Sequence, residues 1–204
     1  MPELSSGRRV VLVGAGHAHL EVLRRWGMQP PPGMQLTCVS PHGVSTYSGM
    51  LPGVLAGQYA RQQMEIDLNA LCARSGAQLQ IGSFRGIDIQ ERVVRCHGGL
   101  CVPFDVLSFN VGSSPRLPAR HGRAGVIIPV KPMATFLERL SDGLVLGGRS
   151  RSHADPIRIA VIGGGVGAVE IALCLPVWVQ SRLESAAADV SLIGGQPRLV
   201  PELS

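Results

Sequence analysis

Val10-Val11-Leu12-Val13-Gly14-Ala15-Gly16-His17-Ala18-His19 is the stretch on which the reading of this chain turns. An unbroken run of aliphatic and β-branched residues predicts a strand buried on both faces, and Leu20, Val22, Leu23 and Trp26 follow at helical spacing. Between strand and helix stands a glycine turn. Gly14 lets the chain reverse sharply, and Gly16 lets the backbone amides of Ala15 to His19 approach a pyrophosphate lying on the positive end of the helix.

The pattern recurs. Ile157-Arg158-Ile159-Ala160-Val161-Ile162 runs into Gly163-Gly164-Gly165-Val166-Gly167-Ala168 and then into a helix through Val169, Ile171, Ala172 and Leu175. All the small positions of a dinucleotide fingerprint are filled here, by Gly163, Gly165 and Ala168. One such fingerprint is a weak signal. Two of them, roughly 150 residues apart and each between a strand and a helix, predict an α/β chain with two Rossmann-like dinucleotide-binding domains.

The first copy departs from the pattern at His19, which stands where a small residue normally lets helix and strand pack closely. His17 and His19 at a helix start read as donors to a phosphate or as partly buried packing residues. A catalytic or metal role is the competing reading, although residues two apart point to different sides of a helix and share a metal poorly. The strand after each turn usually ends in an acid that grips a ribose. Here Gln35 to Val39 ends in Ser40, and Asp189 to Ile193 ends in Gly194-Gly195, so the choice between NADH and NADPH stays open; Arg198 is a candidate partner for a 2′-phosphate.

Composition narrows the classes. With 204 residues, 45% hydrophobic and 16% charged, the chain is neither disordered nor low in complexity. Its net charge of +5 comes from scattered arginines, Lys131 being the only lysine, so no nucleic-acid partner is expected. Cys38, Cys72, Cys96, Cys101 and Cys174 lack CxxC spacing and read as free thiols of a reducing compartment, and no residue cluster has metal-ligand spacing. The polar Met1 to Arg9 has no signal-peptide core, and Ile157 to Val179 carries Arg158, Glu170, Pro176 and several glycines. Neither a targeting nor a transmembrane segment is expected, and the cytoplasm is the expected location.

Phe104-Asp105-Val106-Leu107-Ser108-Phe109-Asn110-Val111-Gly112-Ser113-Ser114-Pro115, between the fingerprints, is similar to the second FAD motif of the pyridine nucleotide-disulfide oxidoreductase superfamily. Val111 stands where an Ala-Thr step often precedes the glycine. Thr46-Tyr47-Ser48-Gly49-Met50-Leu51-Pro52-Gly53 occupies the stretch where disulfide reductases carry a cysteine pair, and it has no cysteine; it is a good turn sequence, and it also resembles the loop that borders the isoalloxazine ring in NADH dehydrogenase-like enzymes. Taken with Val130-Lys131-Pro132, these motifs resemble the NADH dehydrogenase-like flavoprotein region found fused ahead of selenide, water dikinase in some bacteria.

That resemblance implies FAD and NAD(P)H as cofactors and hydride transfer to the flavin, with electrons passed to a small-molecule or quinone-type acceptor and a fused or associated selenophosphate synthase domain as partner. It places Gly14, Ala15, Gly16, His17, Ala18, His19, Ser40, Met50, Leu51, Pro52, Asp105, Gly112, Ser113 and Lys131 at FAD, and Gly163, Gly165 and Ala168 at the nicotinamide dinucleotide. Glu170 would lie beside the nicotinamide as the catalytic residue; an ordinary first-turn glutamate is the alternative, as a solvated loop cation is for Lys131. A nucleotide- or redox-sensing flavoprotein module is the competing function, and a non-flavin nucleotide-binding protein or an inactive fragment a third. The expected division is an FAD-binding domain over 8–115, a connector with a helix over 116–156 and the start of an NAD(P)-binding domain over 157–204. Helices are predicted over Ile66–Ala73 and Ala134–Leu140, strands within Gln78–Arg95, and a helix end or kink near Leu175, before Pro176. A second domain beginning at residue 157 of 204 reads as incomplete, with little or no turnover expected of the chain alone.

Overall fold

The structure is a computed structural model that describes residues 7–115, 117, 125–148, 156–183, 187–196 and 199–200. In chain order its elements are β1 (Arg8–Val13), α1 (His17–Met28), β2 (Met34–Ser40), β3 (Val44–Thr46), α2 (Leu51–Leu55), β4 (Glu65–Asp67), α3 (Leu68–Ser75), β5 (Gln78–Ile81), β6 (Phe84–Asp88), β7 (Val93–Cys96), β8 (Cys101–Pro103), β9 (Val106–Phe109), α4 (Phe136–Gly148), β10 (Ile157–Ile162), α5 (Val166–Arg182) and β11 (Ala188–Ile193). They form two compact units. The first holds the described residues up to Thr46 together with Glu65–Ser113; the second holds Tyr47–Met64 and the described residues from Ser114 onward. Residues 47–64 thus belong by contact to the second unit, whereas the motif reading ran one segment from 8 to 115. Leu51, Leu55 and Met64 account for the difference, because they are buried in the second unit's core.

The first unit is built on a four-stranded parallel sheet in the order β5-β2-β1-β9, joined by an antiparallel sheet β6-β7-β8 and a small pair β3-β4. In register, Val13 of β1 faces Val39 of β2 on one side and Phe109 of β9 on the other. Successive side chains of a strand point to opposite faces. Leu12 accordingly packs with Leu20 and Leu23 of α1 and with Leu68, Leu71 and Cys72 of α3, while Val11 and Val13 pack with Val94, Cys96 and Val102 of the antiparallel sheet. This two-sided cover is why Val10–Val13 of β1 is an unbroken apolar run, and each such side chain removed from water contributes about 1.5–3 kcal/mol.

α3 starts two residues later than the spacing predicted, because Ile66 pairs in β4 and Asp67 caps the helix, its Oδ1 accepting from the amides of Asn69 at 2.8 Å and Ala70 at 3.2 Å. Gly76, at φ +66°, closes it. Cys38 and Cys72 lie in the same core, their thiols hydrogen-bonded; that bond and burial push the Cys38 thiol up.

In the second unit β10 and β11 pair in parallel, Ile157 opposite Ala188 through Ile162 opposite Ile193. Phe136, Leu137 and Leu140 of α4, Ile171, Leu175, Trp178 and Val179 of α5, and Leu51 and Leu55 of α2 make its core. Two expectations are corrected here. α4 extends to Gly148, the turn Met133–Thr135 leading into it, because its apolar face continues past Leu140 to Leu144. α5 runs on through Pro176 to Arg182, so of the expected end or kink the end is ruled out. Proline there forfeits one backbone hydrogen bond, and the burial of Trp178 and Val179 just beyond it holds the helix together.

Candidate functional site

The first glycine turn stands where β1 meets α1, at the carboxyl end of the parallel sheet. Gly14 takes φ +86° and donates its amide to the Val39 carbonyl at 2.8 Å. A Cβ there would come within 2.7 Å of the Val111 Cα and press on the Asn110 carbonyl, so no side chain fits. Gly16, in extended backbone before α1, donates to the Asn110 carbonyl at 3.1 Å, and a Cβ on it would collide with the Asn110 side-chain oxygen. The chain leaving β9 therefore lies directly against the turn.

The first two carbonyls of the turn are taken up by side chains. Gly14 O accepts from His19 Nδ1 at 2.6 Å, and Ala15 O accepts from the Ser45 hydroxyl at 2.6 Å. Since a carbonyl only accepts, a proton sits on Nδ1, and Nε2 lies in hydrogen-bond contact with the Ser108 hydroxyl at 2.9 Å. His19 is 3% exposed. The first intrahelical bond of α1 is Leu20 N to Gly16 O, at 3.0 Å, so the amides of the first turn precede the helical ladder, and no acidic residue in that turn offsets the positive end of the helix. Glu21, one turn on, is tied to Arg24 and Arg25, which hold its carboxyl at about 2.

The other residues expected at FAD are distributed unevenly. Gly112 has φ +76° and open space where a side chain would stand; Ser113, beside it, is exposed, as are His17 and Ala18. Ser40 ends β2 and is buried, its oxygen accepting weakly from the His42 amide at 3.4 Å and its carbonyl from Gly82 at 2.8 Å. Asp105 is a correction. It precedes β9, one strand length from the glycine turn, at the opposite end of the sheet. Arg9 holds it there through its backbone amide at 2.8 Å, its Nε at 3.1 Å and its Nη2 at 3.1 Å. Of the two readings of His19, phosphate donor or packing residue, its burial and the engagement of both ring nitrogens inside the protein fit the second.

In the second unit Gly163 takes φ +144° and donates to Ile193 O at 2.9 Å, and a Cβ on it would stand 3.1 Å from that of Ala168. Gly165 precedes α5, its carbonyl accepting from Ala168 at 3.0 Å and Val169 at 3.2 Å. Glu170 is exposed, one helical turn before Cys174, whose thiol is pushed up first by burial and then by Glu170. Met50 and Pro52 are half-buried, but the Leu51 side chain is 1% exposed and belongs to the core, so it has no surface to offer a flavin ring. Lys131 is exposed and precedes a cis Pro132. Arg198 lies outside the described residues.

A cavity of about 320 Å³ also opens in this unit, lined by Tyr59, Arg61, Leu137, Ser141, Trp178 and Arg182. It sits at the carboxyl end of α5, about 20 Å along the helix from the Gly163 turn. Arg61 pairs with Glu138 there at 2.9 Å, and the Arg182 guanidinium lies 5.3 Å from the centre of a Trp178 ring.

Asn110, Ser108 and Ser45 were not singled out from sequence. The available signal was the adjacency of β9 to β1, which brings the end of the second motif against the first turn, and the polar character of His19, which demands partners once buried. The turn suits a dinucleotide in two ways: glycines at 14 and 16 let the backbone pack where a side chain would strike Asn110, and a buried Asn110 Oδ1 beside it has no hydrogen-bond partner. Among the described residues no helix is long and apolar enough to cross a membrane.

A search of curated proteins finds no match to this sequence. Solved structures share the fold. NDH2 from Plasmodium falciparum in complex with NADH superposes with a TM-score of 0.76 at 15% identity, over 96% of this chain and 43% of that one. Water-forming NADH oxidase from Lactobacillus brevis bound to NADH gives 0.67 at 21%, over 96% and 41%. Sulfide:quinone oxidoreductase from Aquifex aeolicus gives 0.66 at 18%, over 94% and 44%, so this chain spans less than half the length of each of these proteins. The model of one family matches residues 8–204, taking in both glycine turns and the segment between them, and the chain belongs to that family, the pyridine nucleotide-disulphide oxidoreductases.

Proposed function

We propose that this chain is the dinucleotide-binding part of an FAD-dependent NAD(P)H oxidoreductase of the NADH dehydrogenase-like kind, which passes electrons to a small-molecule or quinone-type acceptor. The observation that carries it is the pair of glycine turns, each between a parallel strand and a helix, one in each compact unit of a chain matched to this family from residue 8 to residue 204. Three of the structurally similar proteins, NDH2, the NADH oxidase and the sulfide:quinone oxidoreductase, carry redox chemistry in their names, and the first two were solved with NADH.

The turn at Gly14 and Gly16 seats the diphosphate of FAD on the first amides of α1, and Gly112 gives backbone access nearby. The turn at Gly163, Gly165 and Ala168 does the same for the nicotinamide dinucleotide on α5. When bound, the cofactors supply the hydride chemistry, and the protein supplies position and exclusion of water. Glu170 beside the nicotinamide, and Met50, Pro52 and Lys131 toward the flavin, are parts of this proposal. The family's cysteine pair has no counterpart at 46–53, which favours direct transfer over a dithiol relay.

A second reading, a nucleotide-sensing module associated with a selenide, water dikinase, is favoured by His19 at a small position and by the lack of an acid at the ends of β2 and β11. Purified protein that is yellow, releases FAD on heating and is bleached by NADH under anaerobic conditions supports the oxidoreductase. FAD binding without bleaching supports the sensor, and a colourless protein that takes up no FAD removes both. Replacing Glu170 with Ala is expected to slow bleaching by about tenfold, less than the roughly 10²-fold or more of a general acid or base because no proton transfer is asked of it, and an unchanged stopped-flow rate would make Glu170 a surface residue.

A further inference from the structure

A buried imidazole at the third position of the first glycine turn needs a reason, since the family pattern puts the smallest residues there. The geometry supplies one. The Gly16 carbonyl starts the helical ladder, and the other two carbonyls of the turn, on Gly14 and Ala15, are each held by a donor from a different element: His19 Nδ1 of α1 at 2.6 Å and Ser45 Oγ of β3 at 2.6 Å. A carbonyl oxygen left facing the ligand would set its negative end against a diphosphate, with little water between to screen the repulsion. The Gly14 carbonyl, which can only accept, requires the proton on Nδ1, and the Ser108 hydroxyl meets the other ring nitrogen, Nε2, at 2.9 Å.

We propose that His19 is a positioning residue of the nucleotide seat: its Nδ1–H holds the Gly14 carbonyl turned inward, so that the turn offers a bound dinucleotide diphosphate its amides and not its oxygens. His19 does not touch the ligand; it acts through the Gly14 peptide. The inference rests on the dinucleotide-binding reading of the first unit and adds what that reading lacks, a reason for the departure at the third position.

Three substitutions separate the donor from the bulk. In His19→Asn the side-chain amide nitrogen takes about the place of Nδ1 and keeps the bond to Gly14. His19→Gln places its amide near Nε2 and loses that bond, and His19→Leu fills the space without any donor. The 204-residue chain, freed of flavin and titrated with FAD, is expected to bind with a dissociation constant within about threefold of wild type for Asn and weaker by about tenfold for Gln and Leu, the effect of leaving one buried carbonyl without its donor. Amide exchange at Val11–Val13 should be alike in all four proteins, since the packing of β1 is untouched. Nitrogen-15 shifts of His19 should report a protonated Nδ1 in wild type and in Ser108→Ala alike, since the Gly14 carbonyl sets it. Leu binding as tightly as wild type, or Asn no better than Gln, would overturn the inference; should Leu fail to fold, the contrast of Asn with Gln decides. A wild-type chain that binds no FAD removes the dinucleotide reading and this inference together, a failure visible before any variant is made.

Discussion

The two glycine turns do the same job by different packing. At the second, Gly163 and Ala168 face each other so closely that a Cβ on the glycine would stand 3.1 Å from that of the alanine, and small size alone brings helix and strand together. At the first, the third position holds His19, and the fit between α1, β1 and β9 is made by hydrogen bonds to Gly14 O and Ser108 Oγ. Packing by small residues asks only for the absence of atoms. Packing through a polar side chain asks that every polar atom be matched, and a mismatch costs about 1–3 kcal/mol per buried group. The first turn is thus the more specified of the two, and the less forgiving.

Substituting the leading glycine of each turn tests this most directly. Gly14→Ala meets backbone on both counts, a φ of +86° and the peptide of Asn110 and Val111, and is expected to cost the first unit about 4 kcal/mol, strain and overpacking together. Gly163→Ala carries the backbone strain of φ +144° but meets only the methyl of Ala168, so about 2 kcal/mol is expected in the second unit. Amide exchange resolves the two units separately; equal losses would break the comparison. Next in size, Ala168→His asks whether the first solution transplants. The expected answer is no, with about 2 kcal/mol lost by overpacking against Gly163 and weaker NADH binding. A further contrast lies in the helices. α5 carries Pro176 in its interior where α1 has no proline, and Pro176→Ala should raise the stability of the second unit by about 1 kcal/mol, less than the full helix-propensity difference because the ring is itself half-buried. A loss of stability would show that the proline is packed, not tolerated.

Much of this was legible in the sequence because it rests on local patterns. The continuous apolar run at Val10–Val13 and the largely apolar one at Ile157–Ile162 pointed to the strands, and the glycines after them to the turns. Pairing across long separations was not legible. Nothing local to residues 47–64 says that Leu51, Leu55 and Met64 will be buried with α4 and α5, and nothing local to Asp105 says that Arg9, 96 residues away, will hold it at the far end of the sheet. The same holds for Ser108 and Asn110, whose roles come from β9 lying beside β1. That the helix does not end before Pro176 has a related reason: the propensity against proline is local, while the burial of Trp178 and Val179 that outweighs it is tertiary.

The Arg9 and Asp105 pair sharpens the comparison from the opposite end of the first unit, and its effect is expected to be the smallest. Hydrogen bonds from the Arg9 side chain and backbone hold the Asp105 carboxyl at about 2, below its ordinary 3.8, with the charge of Arg9 adding to them. A carboxylate whose folded value is depressed stabilises the fold fully above its unfolded value, and that contribution disappears as pH falls from about 4 toward 2. The guanidinium is 43% exposed, so solvent screens the pair and the effect is modest. Asp105→Asn should therefore lower the denaturant midpoint of the first unit slightly at pH 7 and leave it nearly level with wild type near pH 2. FAD affinity at pH 7 should be unchanged, because the carboxylate stands a strand length from the glycine turn. A loss of FAD binding in Asp105→Asn, with β1 still protected from exchange, would return Asp105 to the cofactor site and show that the two ends of this sheet are coupled.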